Sequence, residues 1–545
     1  MKNIFVFILF FSITLHSQSV FEPVDSEIYD FLERQSVRGV INYNSEIKPL
    51  LRSNIGSLLI ELEEKKNLLT NLDKDLLRFY LTDYEYEIGL LSNSTSEVEE
   101  IKFLTLDREK RVRLFEYTGK NFALFADPML AFSYGKQFDE YLYIRRNGFR
   151  THAYASSNWG INLRFFDNEE TGNRLDEGKY YTHHRGVVIT KIKPDAIEYD
   201  EVNAGITYAW QTGSLSFAKE YFKIGSGKLG QIILSDKAPS FPFIRLDYYP
   251  VDWMRFIYFH GFLVSNVPDS STFRFSQVPN RTTIADVPKF IAFHMLSVYP
   301  TESLSISIGE SIVYSEYVQP VYFIPIMFFR VADHYLGRTN ASASGNAQMF
   351  ADLSYRWTEM KTRFYGSIFI DELSLNKLFK GENHSAIGFT TGAEIFDPVL
   401  NNSLLNIEYT RINPFVYMNS VDAQQFANEF YKLGHWIESN GDIISVKYEQ
   451  YILRSLKFSI TGWYMRKGAI ELPEEQYQSP YPPFLYGERR NDLSVNFNIS
   501  YSPFHPLYTE VYFNYRDISD NDLNRTALEY SGKFSDFGFS VAYGF

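Results

Sequence analysis

The chain closes on Phe537-Gly-Phe-Ser-Val-Ala-Tyr-Gly-Phe545, and the two parities of that stretch differ in kind. Phe537, Phe539, Val541, Tyr543 and Phe545 share one; Gly538, Ser540, Ala542 and Gly544 share the other. Successive side chains of a strand point to opposite faces, so this segment reads as a strand with one aromatic face and one small face. The period of two recurs upstream. In Leu493-Ser-Val-Asn-Phe-Asn-Ile-Ser-Tyr501 every odd position is apolar and every even one polar. Leu507, Val511, Phe513 and Tyr515 alternate with Glu510, Asn514 and Arg516. Leu528, Tyr530 and Phe534 alternate with Glu529, Ser531 and Lys533, and Leu456, Phe458, Ile460 and Tyr464 with Lys457, Ser459 and Thr461. Turn clusters separate such runs: Ser439-Asn440-Gly441-Asp442, Ser502-Pro503 and Ser519-Asp520-Asn521-Asp522. Strands of about ten residues between turns suit a closed membrane barrel, because an unpaired sheet edge has no place in hydrocarbon.

The amino terminus bears on where such a barrel would sit. Lys2 precedes an apolar run from Ile4 to Leu15, followed by His16-Ser17-Gln18-Ser19. The run is too short to span a bilayer and fits a secretory leader over residues 1–19, with cleavage near Ser19. Beyond it no stretch of about 18 apolar residues occurs. The most apolar segment, Val321–Phe329, is short and broken by Pro325. Aromatics nevertheless make up 17% of the chain, with 48 Phe, 40 Tyr and only 6 Trp, a composition that suits interfacial girdles and a lipid-facing band. The expected fold is mainly β: a large antiparallel transmembrane β-barrel over residues 96–545, about 16–18 strands at about ten residues each. The last strand also resembles the closing strand of bacterial outer-membrane barrels. That resemblance implies that Phe545, Tyr543 and Phe539 form a membrane-insertion signal read by the barrel assembly machinery, with outer-membrane lipid as surroundings.

Residues 20–95 follow a different period. Ile28, Phe31 and Leu32 keep helical spacing after Asp25, a candidate cap; Ile55, Leu58, Leu59 and Leu62 do so after Ser53; Leu72, Leu76, Tyr80 and Tyr84 recur behind Asn71. Ser and Asn are good N-cap types, and Asp73 and Asp75 suit a first turn. Three short amphipathic helices are expected, forming a small periplasmic α-helical bundle at the barrel mouth.

The net charge of −13 argues against nucleic acid as a partner, since phosphate binding needs a basic surface. With no cysteine in the chain, a lipoprotein anchor, a disulfide and thiol chemistry are excluded. Catalytic signatures are missing too: no His-Glu-x-x-His, no Gly-x-Ser-x-Gly, no dinucleotide fingerprint. Gly225-Ser-Gly-Lys-Leu-Gly230 lacks the P-loop spacing and reads as a tight loop with a charged tip. His183-His184, read as part of a strand, would point to opposite faces and share no metal. A non-enzymatic protein without cofactor or metal is expected. Lys219, Glu220, Arg245, Asp247, Asp352, Arg356 and Asp371 lie within strand runs. A charge on the lipid face costs a few kcal/mol near the midplane, so these should face the lumen, as structural ion pairs or along a sugar path. Trp159, Trp436 and the segment Tyr477–Tyr486 are aromatic candidates for sugar contact, although interfacial belts also use aromatics.

Several segments together resemble the Wzi family of capsule assembly proteins. Ile28-Tyr-Asp-Phe-Leu-Glu-Arg34 with Gly39, and Ile47-Lys-Pro-Leu-Leu-Arg-Ser53 before Leu58-Leu59, are similar to its N-terminal helical region. Leu215-Ser-Phe-Ala-Lys-Glu220, the Gly225–Gly230 loop and Ile233-Leu-Ser-Asp-Lys-Ala-Pro-Ser-Phe241 resemble its early barrel motif. Ser311–Tyr314, Pro325, Gly345–Gln348, Asp352 and Tyr365–Glu372 resemble its central part. Where the family carries Trp-Gly-Pro-Gly, this chain has Lys223-Ile-Gly-Ser-Gly227. The resemblance implies an outer-membrane lectin that binds and retains capsular polysaccharide at the cell surface. The alternative is a passive or substrate-selective diffusion channel.

Overall fold

The computed structural model describes residues 19–92, 99–106, 110–137, 140–156, 158–173, 175–275, 282–339, 345–372, 385–477, 480–504, 506–522, 525–526 and 530–544. Most of the expected leader, residues 1–18, and the terminal Phe545 lie outside them.

Eighteen antiparallel strands close a barrel. In chain order they are β1 Phe122–Gln137, β2 Glu140–Ala155, β3 Trp159–Gly172, β4 Ala196–Trp210, β5 Gly213–Glu220 and β6 Phe241–Val251. There follow β7 Met254–Leu263, β8 Lys289–Thr301, β9 Leu304–Ser315, β10 Asn346–Trp357, β11 Thr362–Glu372 and β12 Ala386–Phe396. The ring ends with β13 Ser403–Ile412, β14 Gly441–Leu453, β15 Leu456–Lys467, β16 Arg490–Tyr501, β17 Leu507–Asp520 and β18 Gly532–Tyr543. Closure runs between β18 and β1, with Phe537 opposite Lys136 and Tyr543 opposite Leu130. Below that seam β1 pairs with the hairpin Glu100–Leu106/Val112–Thr118.

The parity read in the closing strand holds in space. Phe537, Phe539 and Val541 are exposed on the outer wall. Gly538, Ser540 and Ala542 therefore face the lumen. Leu130, Phe132, Leu493, Phe497, Val511 and Phe513 continue the outward apolar band, and Trp159, Tyr208, Trp253, Tyr355, Trp357 and Tyr501 ring it near one rim. Among the described residues no helix is long and apolar enough to cross a membrane. Of the alternating run 528–534, residues 528–529 lie outside the described residues, and β18 begins at Gly532.

The two rims differ. One carries tight turns, such as Gln211-Thr212 between β4 and β5. The other carries the long connections 173–195, 221–240, 264–288, 316–345, 413–440 and 468–489. The N-terminal bundle sits at the short-turn rim. It has four helices where three were expected: α1 Ile28–Val37, α2 Arg52–Glu64, α3 Asn71–Asp83 and α4 Glu85–Leu91. Their apolar stripes share one core containing Ile28, Leu32, Ile55, Leu59, Leu76 and Tyr80. The caps differ from expectation. Glu27 rather than Asp25 precedes α1 and makes no side-chain cap. The cap of α2 is Leu51, and the N–H of Ser53 donates outside the helix, to the Ser19 hydroxyl oxygen at 2.8 Å. For α3 it is Thr70, whose hydroxyl accepts from Asp73 N–H at 3.1 Å.

The bundle spans the mouth. Arg38 bridges Asp73 and, at 2.8 Å, Asp397 in the β12–β13 turn. Arg454 lies 5.1 Å over the Phe79 ring, Tyr299 donates to Glu46 at 2.6 Å, and Tyr154 on β2 donates to Glu87. From the opposite rim the connection 221–240 descends into the lumen. Lys223–Ile224 pairs with Ile47–Lys48 of the N-terminal region. Phe222 stacks on Phe259 at 4.5 Å, which stacks on Phe293 at 4.8 Å, which stacks on Phe350 at 4.8 Å. Each such ring removed from water contributes about 1.5–3 kcal/mol. The lumen is thus partly a core, filled by a plug.

Candidate functional site: a plugged lumen with an open cavity

The plug tip is the Gly225–Gly230 loop, and buried charge fixes it. Ser226 donates to Asp352 through its N–H (2.9 Å) and its hydroxyl (2.8 Å), and Ser367 donates to the same carboxylate at 2.5 Å. The N–H groups of Lys228 and Leu229 donate to Glu408 at 2.6 and 3.0 Å. The Lys228 ammonium contacts Glu33 of α1 directly and lies 3.1 Å from Glu394. Arg363 joins the same two carboxylates at 2.5 and 2.8 Å. Burial works against the charge on Lys228, but Glu33, Glu394 and Asp30 outweigh it and hold its pKa above the ordinary value. Helix, plug and barrel wall therefore meet in one ion cluster.

A second inward connection, 413–440, covers the plug. Leu433 accepts from Ser235 N–H at 2.7 Å, and Tyr417 donates its hydroxyl proton to the Ile232 carbonyl at 2.6 Å.

The rest of the lumen is open. A cavity of about 1290 Å³ lies between the plug and the wall of β16–β18 and β1–β4, with Asp25 among its lining residues. Inward positions of β16 and β17 supply Asn496, Asn498, Asn514, Tyr512 and Arg516; Tyr199 and Glu170 line the opposite wall, and Tyr180 and Tyr530 lie toward the long-loop rim. Several groups are prearranged. Asn514 donates to Asp536 at 2.8 Å, Tyr199 donates to Glu170 at 2.9 Å, and Lys179 approaches Glu170 to 2.7 Å. Asn496 Oδ1 and Arg516 Nε have no protein partner. Lys237 ties the connection 173–195 to the plug, donating to the carbonyls of Lys179 (2.6 Å), Thr182 (3.1 Å) and His184 (2.7 Å). Burial brings its pKa down to about 8. Flat phenol faces beside amides and carboxylates suit a polyhydroxylated ligand, whose C–H faces stack and whose hydroxyls hydrogen-bond.

His183 and His184 correct an expectation. They lie in a loop, not a strand, and their rings are 4.4 Å apart. Burial, with Arg516 and Lys237 nearby, holds His183 down to about 4. Among the described residues no group of three or more His, Asp or Glu is placed to hold a metal ion.

The sequence candidates divide into three sets. Glu220, Arg245, Asp247, Asp352, Arg356 and Asp371 are all buried on the lumen side, where they bind protein. Glu220 accepts from Arg164 at 3.1 Å; Arg245 pairs with Asp247 at 2.6 Å and lies 4.9 Å over Phe21. Arg356 donates to Asn42 Oδ1 at 2.8 Å and Asn44 Oδ1 at 3.0 Å. Asp371 accepts from Tyr417 N–H at 2.7 Å. Lys219 is different: it shares the parity of Leu215 and Phe217, both exposed on the outer wall, and sits at the edge of the cavity mouth. The aromatics also separate. Trp159 is exposed beside Tyr208, ring centres 5.0 Å apart, in the aromatic ring near the short-turn rim. Trp436 is buried and donates its indole N–H to the Leu229 carbonyl at 2.7 Å. Within Tyr477–Tyr486, residues 478–479 lie outside the described set, and Tyr481 and Tyr486 pack on Phe415. The cavity asparagines were not singled out, although they occupy the polar parity of 493–501.

No family model matches the sequence, and no curated protein matches it. Solved structures do. Wzi from Escherichia coli, described as an outer membrane protein involved in group 1 capsule assembly and a carbohydrate-binding β-barrel, is 12% identical with a TM-score of 0.55, over 97% of this chain and 100% of that one. OprD from Pseudomonas aeruginosa is 12% identical at a TM-score of 0.40, over 82% of this chain and 96% of its own. OccAB4 from Acinetobacter baumannii is 12% identical at 0.42, over 80% and 99%. At such identity the likeness is one of fold: a large closed β-barrel similar to outer-membrane proteins.

Proposed function

We propose that this protein is an outer-membrane lectin of the Wzi type, which binds surface polysaccharide and retains it during capsule assembly without catalysing a reaction. The short-turn rim and its bundle would face the periplasm and the cavity would face outward. The observation that carries this reading is a lumen plugged on one side that leaves a polar, aromatic-lined cavity on the other. The bundle spans one mouth and the plug is clamped to it through Glu33 and Lys228, whereas the cavity of about 1290 Å³ has a Tyr- and Asn-lined wall and Asp25 among its lining residues. A pocket of that form favours holding a chain end or loop of glycan over passing solute. The carbohydrate-binding description of the Escherichia coli structure supports it at the level of fold.

The test compares two measurements on one purified sample. Isolated surface glycan should bind the barrel in detergent, and the same preparation should give no steady conductance in planar bilayers. Deletion of the gene should shed polysaccharide into the medium while synthesis continues. Open-channel conductance without glycan binding would identify a diffusion channel instead.

A further inference from the structure

One long connection turns away from the lumen. On β7–β9, Ile257, Phe259, Phe293, Met295 and Val313 belong to the luminal core, so residues of the opposite parity face outward. These are Tyr258 and His260, His294, and Glu310 and Tyr314. Tyr258, His294 and Glu310 are direct cross-strand partners in one row, and through Met349 the row is level with Ile370 on β11. The next outward row toward the short-turn rim is apolar: Phe256, Leu296 and Ile308. Polar groups thus stand in the upper part of the outward band. A charged side chain facing acyl chains there is costly.

Residues 322–336 of the connection after β9 cover them from outside. Tyr258 donates its hydroxyl proton to the Tyr322 carbonyl at 2.9 Å. His260 shares a 2.7 Å hydrogen bond with Tyr314 and stacks on Phe323 at 4.1 Å. The His294 ring lies 4.6 Å from that of Phe329. Phe329 opens a further helix, α5 Phe329–Thr339, and its N–H donates to Glu310 at 2.8 Å. A carboxylate at that position satisfies an orphan donor and complements the helix dipole. His260 and Glu310 are 0% and 4% exposed as a result. Helix α5 turns Phe329, Ala332 and Leu336 toward the wall. The outer surface of the segment is then apolar itself: Ile326 is 84% exposed, Phe328 52%, Val331 61% and Tyr335 70%, beside exposed Arg330 and His334.

We infer that residues 321–335 form an outboard collar seated in the bilayer, with acyl chains as its occupant and α5 lying in the interface plane. Three observations carry it. The collar replaces a polar section of the outer wall by an apolar one. It is continuous with the outward-facing Ile308 of β9 and with Leu353 and Ile368 of the neighbouring β10 and β11. Its helix has the amphipathic form of an interfacial segment, cationic beside apolar. The inference does not depend on the glycan reading.

The absence of cysteine makes the test clean. Ile326→Cys and Val331→Cys, both at exposed positions, are labelled with bimane and reconstituted in phosphatidylcholine vesicles with and without doxyl-labelled phosphatidylcholine. Val511→Cys serves as the lipid-facing control and Lys191→Cys as the water-facing one, and only protein showing the heat-modifiable mobility of a folded barrel is scored. Quenching of both collar sites to the extent seen at position 511 is expected. Quenching at the level of position 191 places the segment in water and overturns the proposal. So does disulfide capture of Ile326→Cys between two copies in the membrane, which would make the occupant a second chain.

Discussion

The Tyr512 ring lies over Gly538, its partner across β17 and β18, with its hydroxyl in the space a Cβ on that glycine would need. Gly135, paired with Gly538 on the other side, makes the same room: a Cβ there would sit 2.5 Å from the Tyr512 hydroxyl. The phenol can therefore lie flat along the wall beside the cavity. Gly538→Ala should force the ring out and crowd the backbone of β1, costing about 1–3 kcal/mol as overpacking does. A lowered urea midpoint for unfolding from vesicles checks it. Removing the hydroxyl with Tyr512→Phe in the same chain should recover only part, because the backbone contact with Tyr134 remains.

The plug clamp gives a second expectation. Lys228→Ala leaves Glu33 and Glu394 buried around Arg363 alone. Breaking a buried pair by removing one partner costs about 3–5 kcal/mol. The loop tip should come away from α1, and conductance steps absent from the native barrel should appear in planar bilayers. A silent trace from K228A would mean that Asp352 and Glu408 hold the tip unaided.

How far the sequence foretold these contacts depends on their range. Parity is local, so the outward Phe537, Phe539 and Val541 and the inward Glu220, Asp352 and Asp371 followed from the alternation around them. Lys219 shares the apolar parity of Leu215 and Phe217, yet at the strand end it borders the cavity mouth. The partners of the luminal charges were not legible. Ser226 reaches Asp352, and Tyr417 reaches Asp371, across 126 and 46 residues of chain, and no period encodes that. The α2 cap failed for the same reason, as Ser53 is served by Ser19. The collar left a faint trace: His260, His294 and Glu310 interrupt the apolar parity of their strands, which marks a wall that something must cover.

Acid should loosen the clamp. Burial opposes the charge on Glu33, but Arg363 and Lys228 outweigh it and keep its carboxyl well below the usual range. In the unfolded chain a Glu titrates near about 4.3. Its contribution is therefore complete above that pH and is lost as pH falls toward the lower folded value. The urea midpoint of the native barrel should drop steeply below about pH 4, and Glu33→Gln should flatten that drop while lowering the midpoint at pH 7. Parallel curves for the two proteins would assign the acid sensitivity to other carboxylates.

Asn496 offers the sharpest probe of the cavity. It pairs across the wall with Asn514, whose amide is committed to Asp536; it lines the cavity, and its own buried Oδ1 has no protein partner. A sugar hydroxyl donating there would be lost in Asn496→Leu, which keeps the side-chain size. One such hydrogen bond is worth about 0.5–1.5 kcal/mol, so glycan affinity should fall about two- to tenfold. Calorimetric titration of the native and N496L barrels measures the difference, with Ser535→Ala on the outer wall as a variant that should bind unchanged. Equal affinity in all three would move the glycan away from Asn496, toward the long-loop rim of the cavity, where Tyr180 and Tyr530 would be the next residues to replace.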